Sequence, residues 1–118
     1  MSEHITAFFA AWGETDADKR AATLANCVSP DISYLDPRTP EPITGLAALN
    51  DYVAMYSQMA PGATARVANL SETGPMARAT VEFAMSDGMK QNGQYFVETD
   101  DQSRPTRMVG FVGMGEPE

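Results

Sequence analysis

From residue 64 onward the chain reads as four short runs rich in valine, phenylalanine, threonine and tyrosine, at about 64–71, 76–86, 93–100 and 106–113. The breaks between them are Thr73-Gly74-Pro75, Asp87-Gly88 with Asn92-Gly93, and Asp101-Gln102-Ser103-Arg104-Pro105. Each break is turn chemistry. Connections that short cannot carry a crossover, so successive runs fold back as antiparallel hairpins. A meander of this kind must bury one face against something else. The first half of the chain supplies the cover.

There, Ser2 is positioned as an N-cap, and Ile5, Phe8, Phe9 and Trp12 repeat at helical spacing. The spacing predicts a helix from about residue 3 to 13, with Gly13 near its end. Thr15 and Asp16 offer a second N-cap, and Ala21, Leu24, Ala25 and Val28 form the next apolar stripe. Ser29-Pro30-Asp31 stops that helix, because proline cannot continue it. A strand, Ile32 to Asp36, comes next. Pro37, Pro40 and Pro42 keep the following loop extended, and Gly45 closes it. Leu46, Leu49, Val53 and Tyr56 stripe a third helix, flanked by Tyr52, Met55 and Met59 and ended by Pro61-Gly62. The order predicts a single α+β domain. Three helices set against a curved antiparallel sheet would form a cone enclosing a pocket.

Charge narrows the partners. With 16 acidic against 8 basic residues the chain carries a net charge of -8, which disfavours nucleic acid and anionic membrane surfaces. The N-terminal stretch is polar with no long apolar run after it, so neither a secretory signal nor a membrane span is expected. A lone cysteine, Cys27, permits no internal disulfide and points to a reducing, cytoplasmic setting. Within an apolar helix it reads as buried and inert. One cysteine and one histidine, His4, assemble no metal set, so no metal is expected. Gly110, Gly113 and Gly115 have no helix after them, which rules out a phosphate loop.

The chemistry concentrates on Ile32-Ser33-Tyr34-Leu35-Asp36-Pro37. Ile32, Tyr34 and Asp36 alternate, so an extended strand points all three to one face. If that face lines the pocket, Asp36 is a carboxylate at the end of an apolar wall, a setting for general acid–base work. Aspartate before proline is equally a turn initiator. Trp12, Tyr34 and Tyr52 line a pocket or fill a core, and Tyr56 reads as structural. Glu98 is in phase with Phe96. Facing inward it would pair with Asp36 as a second acid; facing outward it has no chemical role. Arg78 alternates in phase with Glu82 and suits a surface pair across strands.

The element order and the run Asp31 to Pro37, followed by a proline-rich loop and Ile43-Thr44-Gly45 leading to Tyr52, resemble the nuclear transport factor 2-like superfamily. That group includes ketosteroid isomerases, SnoaL-like polyketide cyclases and limonene epoxide hydrolases. Met108-Val109-Gly110-Phe111 is similar to the ending common in SnoaL-like proteins. The resemblance implies that Asp36 occupies the general-base position of ketosteroid isomerases. Their oxyanion tyrosine would fall at Ala11 or Trp12, and its supporting tyrosines at Val28 and Val53. Their oxyanion aspartate would fall at Glu98, Tyr95 or Phe96. The expectation is a SnoaL-like pocket protein, without cofactor, acting on a small apolar or aromatic carbonyl compound by isomerisation or cyclisation. Asp36 and Glu98 are the candidate catalytic residues, and Trp12, Tyr34, Tyr52 and Tyr95 the candidate ligand contacts. The resemblance also implies a homodimer through the outer sheet face. The alternative is a non-catalytic small-molecule-binding module or a dimerisation domain.

Overall fold

Asp16 starts the second helix as the N-cap, its carboxylate accepting from the amides of Asp18 and Lys19. The computed structural model describes residues 3–39, 41–60, 62–102 and 104–112. Ser2, Pro40, Pro61, Gly113 and Gly115 lie outside the described residues. Helix α1 spans Glu3–Ala10 and tightens into a 3₁₀ turn at Ala11–Gly13. The turn ends where Gly13 meets Thr64: a Cβ on it would sit 3.2 Å from Thr64 Cγ2. Helix α2 (Ala17–Cys27) buries Arg20, Leu24 and Cys27 rather than the expected stripe through Ala21 and Ala25. Arg20 earns that place by donating from Nη1 to the Glu14 carbonyl at 2.7 Å, tying α2 to the end of the 3₁₀ turn.

Strands β1 (Ser33–Leu35) and β2 (Ile43–Thr44) flank the proline-rich loop, and α3 (Leu46–Met59) follows. The meander is β3 (Thr64–Thr73), β4 (Met76–Ala84), β5 (Lys90–Thr99) and β6 (Pro105–Val112). Gly74 (φ 57°) and Gly88 (φ 93°) take the left-handed backbone that two of its turns need. The six strands form one sheet in the order β2-β1-β6-β5-β4-β3.

Two expectations are corrected. The sheet is mixed, because β1 pairs parallel with β6, Tyr34 opposite Met108. A meander alone would leave β6 as an open edge of unpaired amides and carbonyls; β1 covers it, and β2 covers β1. Asn92-Gly93 is no turn. It lies inside β5 opposite Glu82 and Val81, and the hairpin closes earlier, with the Met85 amide donating to the Met89 carbonyl at 2.8 Å.

The helices pack on the inner face of the sheet, where Ala65, Ala77, Ala79, Val81, Tyr95, Val97 and Met108 are buried. Three alanines on β3 and β4 leave depth for Phe8, Phe9 and Trp12, all buried. These rings meet edge to face, Phe9 with Tyr95 at 4.8 Å and Trp12 with Tyr56 at 4.9 Å between centroids. Among the described residues no helix is long and apolar enough to cross a membrane.

Candidate functional site

Strand alternation puts Ile32, Tyr34 and Asp36 on the buried side, at 0%, 0% and 8% exposure. Asp36 ends the extended stretch, and the two readings of it divide between its two oxygens. Oδ1 does turn chemistry, accepting the Arg38 amide at 2.8 Å. The turn is closed further by the Thr39 amide on the Asp36 carbonyl (3.1 Å) and the Asp36 amide on Thr39 Oγ1 (3.1 Å). Oδ2 faces inward and accepts two phenolic hydroxyls, Tyr34 from β1 and Tyr52 from α3, each at 2.7 Å. A hydroxyl has one proton to give, and Tyr34 spends its own on the carboxylate. Tyr95, reaching from β5, is therefore the donor in the 2.9 Å contact between the Tyr34 and Tyr95 hydroxyls. The lone pairs of Tyr95 remain available to a ligand.

Burial pushes the Tyr34, Tyr52 and Tyr95 hydroxyls well above the ordinary tyrosine range, and the negative charge of Asp36 adds to it in each. Arg38 works against this at Tyr52 and Tyr95, its positive charge favouring the ionised phenol. The three rings stay neutral donors near neutral pH. They surround one carboxylate.

Beside this cluster opens a pocket of about 120 Å³, bordered by Trp12, Asp36, Arg38, Phe83, Gly93 and Tyr95 among others. An apolar cavity of roughly 150 Å³ holds a benzene ring. The pocket is of the scale of a small ring or of the reactive end of something larger. Trp12 is fully buried on its wall, and among the described residues its indole N–H has no hydrogen-bond partner.

Asp36, Tyr34, Tyr52, Tyr95 and Trp12 are brought together. Glu98 is not. On β5 the inward residues are Gly93, Tyr95 and Val97, so Glu98 falls with Phe96 on the outer face, opposite Met76 and Arg107. It supplies no second acid to Asp36. Arg78 does not pair with Glu82, which is met from β3 by Arg66 at 3.4 Å; Arg78 stands opposite Ser71 and Phe96. Val28 and Val53 are fully buried and offer no side-chain donor behind the site. Cys27 is buried, and loss of solvent pushes its thiol up to about 12. Among the described residues no group of three or more His, Cys, Asp or Glu side chains could hold a metal ion.

Sequence reasoning missed Arg38 and Phe83. Arg38 follows Asp36 by two positions, and that spacing was the available signal. The proline between them obscures which way the side chain turns. Phe83 needed the register of β4, which places it opposite Ala65 on the inner face.

A family model for the SnoaL-like domain matches residues 5–113. Among solved structures, an isomerase-class candidate of the SnoaL-like family from Agrobacterium tumefaciens str. C58 superposes with a TM-score of 0.84 at 23% identity, covering 97% of this chain and 100% of that one. A hypothetical protein with a ketosteroid isomerase-like fold from Catenulispora acidiphila DSM 44928, in complex with trimethylamine, gives 0.77 at 14% identity over 95% and 86%. The epoxide hydrolase/cyclase-like enzyme SalBIII, described with a role in pyran ring formation in the polyether salinomycin, gives 0.72 at 18% over 96% and 90%. At these identities the likeness is one of fold. The comparison with curated proteins finds no match.

Proposed function

The chain belongs to the SnoaL-like domain family, and we propose that it binds a small apolar or aromatic carbonyl compound and moves a proton beside the carbonyl, in an isomerisation or cyclisation. Asp36 is the proton acceptor and donor. Tyr95 and Trp12 orient the ligand, and Tyr34 and Tyr52 hold the carboxylate in place. One observation carries this reading. A nearly buried carboxylate borders a pocket one ring wide, with two neutral phenols at 2.7 Å on a single oxygen. Hydrogen-bond donors that share the negative charge also shift position easily as a proton arrives or leaves.

A second reading is favoured by the same contacts. Oδ2 already receives two hydroxyls and Oδ1 one amide, three of the roughly four acceptor sites a carboxylate has. A carboxylate so occupied suits a binding module that fixes a ligand without turning it over. Exchange of carbonyl-adjacent protons in D₂O, followed by NMR over a panel of cyclic ketones and enones, separates the two. An enzyme exchanges them, and Asp36→Asn abolishes exchange while ligands still quench Trp12 fluorescence. A binder quenches in both forms and exchanges in neither.

The homodimer belongs to the same proposal. Phe96 and Phe111 stand half exposed on the outer sheet face with ring centroids 5.5 Å apart. An exposed aromatic pair on a sheet face is the kind of anchor a second copy would cover. A cytoplasmic setting suits Cys27, whose buried thiol has no disulfide partner in the chain.

A further inference from the structure

A second depression lies on the other side of Arg38. It measures about 350 Å³ and is bordered by Arg38, Tyr52, Met55, Tyr56, Met59 and Met85. Arg38, Tyr52 and the proton-handling pocket join it to Asp36, since Arg38 borders both hollows and Tyr52 donates to the carboxylate. Its volume falls within the roughly 300–1,000 Å³ of small-molecule sites. Three of its bordering residues are methionines, flexible and polarizable, which accommodate hydrocarbon of varied shape. Met59 is 78% and Met55 49% exposed, an apolar surface left open by the fold.

Two polar side chains, Tyr56 and Arg38, border this hollow. The Tyr56 hydroxyl is buried and has no hydrogen-bond partner among the described residues. The Arg38 guanidinium lies 5.6 Å from the centroid of the Tyr56 ring. Ion pairs between described residues join Arg66 to Glu82 and Arg104 to Asp100; Arg38 takes part in neither. Arg38 differs from the other cations in bordering both hollows, which puts its charge within reach of an anionic group on a ligand in either. Its backbone is fixed by the turn on Asp36, with the Arg38 amide donating to the Asp36 carboxylate.

We propose that the ligand is a carboxylic acid with a hydrocarbon chain. The carboxylate is received by Arg38 and the Tyr56 hydroxyl, the chain lies along Met55, Met59 and Met85, and the carbonyl-bearing end of the same molecule enters the Asp36 pocket. This assignment rests on the pocket proposed above, and it names the substrate class for it. A guanidinium and a phenol bind the two oxygens of a carboxylate by charge-assisted hydrogen bonds. An alcohol of the same length offers the chain but not the charge.

Trp12, the single tryptophan, reports occupancy through its fluorescence. The probes are decanoate, 1-decanol and cyclohexenone, titrated into the wild-type chain and into R38Q, R38K and Y56F. Gln at 38 keeps the backbone amide that caps Asp36. Decanoate is expected to bind more tightly than decanol to the wild type. R38Q should weaken decanoate by about five- to tenfold, the scale of a solvent-accessible charged contact. R38K should recover most of that loss, Y56F should lose a smaller part, and decanol should be unaffected by any of them. Equal binding of decanoate and decanol, or decanoate binding indifferent to R38Q, overturns the proposal. Cyclohexenone separates the two levels. If it quenches Trp12 and decanoate does not bind, the carboxylate assignment fails and the Asp36 pocket stands. If decanoate binds with the expected dependence on Arg38 and cyclohexenone does not bind, the carboxylate site is supported and the carbonyl pocket fails.

Discussion

Gly110 on β6 lies directly beneath the ring of Tyr95 on β5, so close that a Cβ there would stand 2.6 Å from Tyr95 Cε2 and 2.8 Å from Cζ. Cross-strand neighbours at this register are Tyr95 and Gly110 themselves. The glycine is what lets the ring lie flat toward β6 and bring its hydroxyl to Tyr34.

Gly110→Ala should therefore cost about 1–3 kcal/mol, the range for overpacking a filled core, as read by urea unfolding. The ring must tilt away, so ligand quenching of Trp12 should weaken as well. In a Tyr95→Leu background the same substitution should cost less, because the two sites share one contact. Equal costs in the two backgrounds would mean that the ring is not what the glycine accommodates.

The two phenols on Asp36 are not equivalent. Tyr34 is fully buried and Tyr52 only partly so. Tyr34→Phe strips Asp36 of a donor and Tyr95 of an acceptor with no water to replace either. It should cost about 1.5–3 kcal/mol, as for hydrogen bonds to charged groups. Tyr52→Phe should cost about 1 kcal/mol or less, because water can reach the vacated place. Denaturation midpoints of the two variants give the order directly.

Alkaline pH should unfold the chain steeply. All four tyrosines are raised above the ordinary value of 10.0, burial being the largest cause in each. The native state holds these protons after an unfolded chain would release them. Their contribution is fully present below pH 10 and is lost as pH climbs toward the folded values. Tyrosinate absorbance should stay flat through the ordinary titration range and then rise together with loss of helical circular dichroism. A gradual rise starting near pH 10 in the folded protein would contradict the buried network.

On the outer face, Phe96→Glu or Phe111→Glu should convert a dimer into a monomer without changing the unfolding profile of the isolated subunit. Both rings are about half exposed in the single chain, so neither substitution opens the core. Sedimentation velocity at several concentrations reads the result; a wild type that sediments as a monomer throughout removes the dimer from the proposal.

Much of this was legible because it is local. Tyr34 and Asp36 share a face by the alternation of any extended strand, and Asp16 caps α2 by chemistry contained within three residues. The face taken by Glu98 was not local. It follows from how β5 aligns between β4 and β6, and the register shifts at Glu98 and Thr99. Asn92-Gly93 carries strong turn chemistry, yet Asp87-Gly88 closes the hairpin first and leaves the later pair inside the strand. The parallel partner of β1 was hidden for a related reason. No turn connects β1 to β6, so nothing nearby in sequence announces that they meet. Arg38 belongs in the same class: its two hollows are formed by α3, β4 and β5, elements remote from it in the chain.

The pairing of β1 with β6 also sets an order of events. Ser33 lies opposite Arg107 and Leu35 opposite Val109, so the strand that presents Tyr34 can pair with β2 early but gains its parallel neighbour only once β6 has been made. On a ribosome the helices can form early, while the carboxylate and its phenols must wait for the last strand to emerge. A chain stalled or clipped before residue 105 would lack the strand beside which Tyr34 is paired. Competence in this domain arrives with its final strand, and a damaged C-terminal strand would silence the pocket from the opposite end of the sequence.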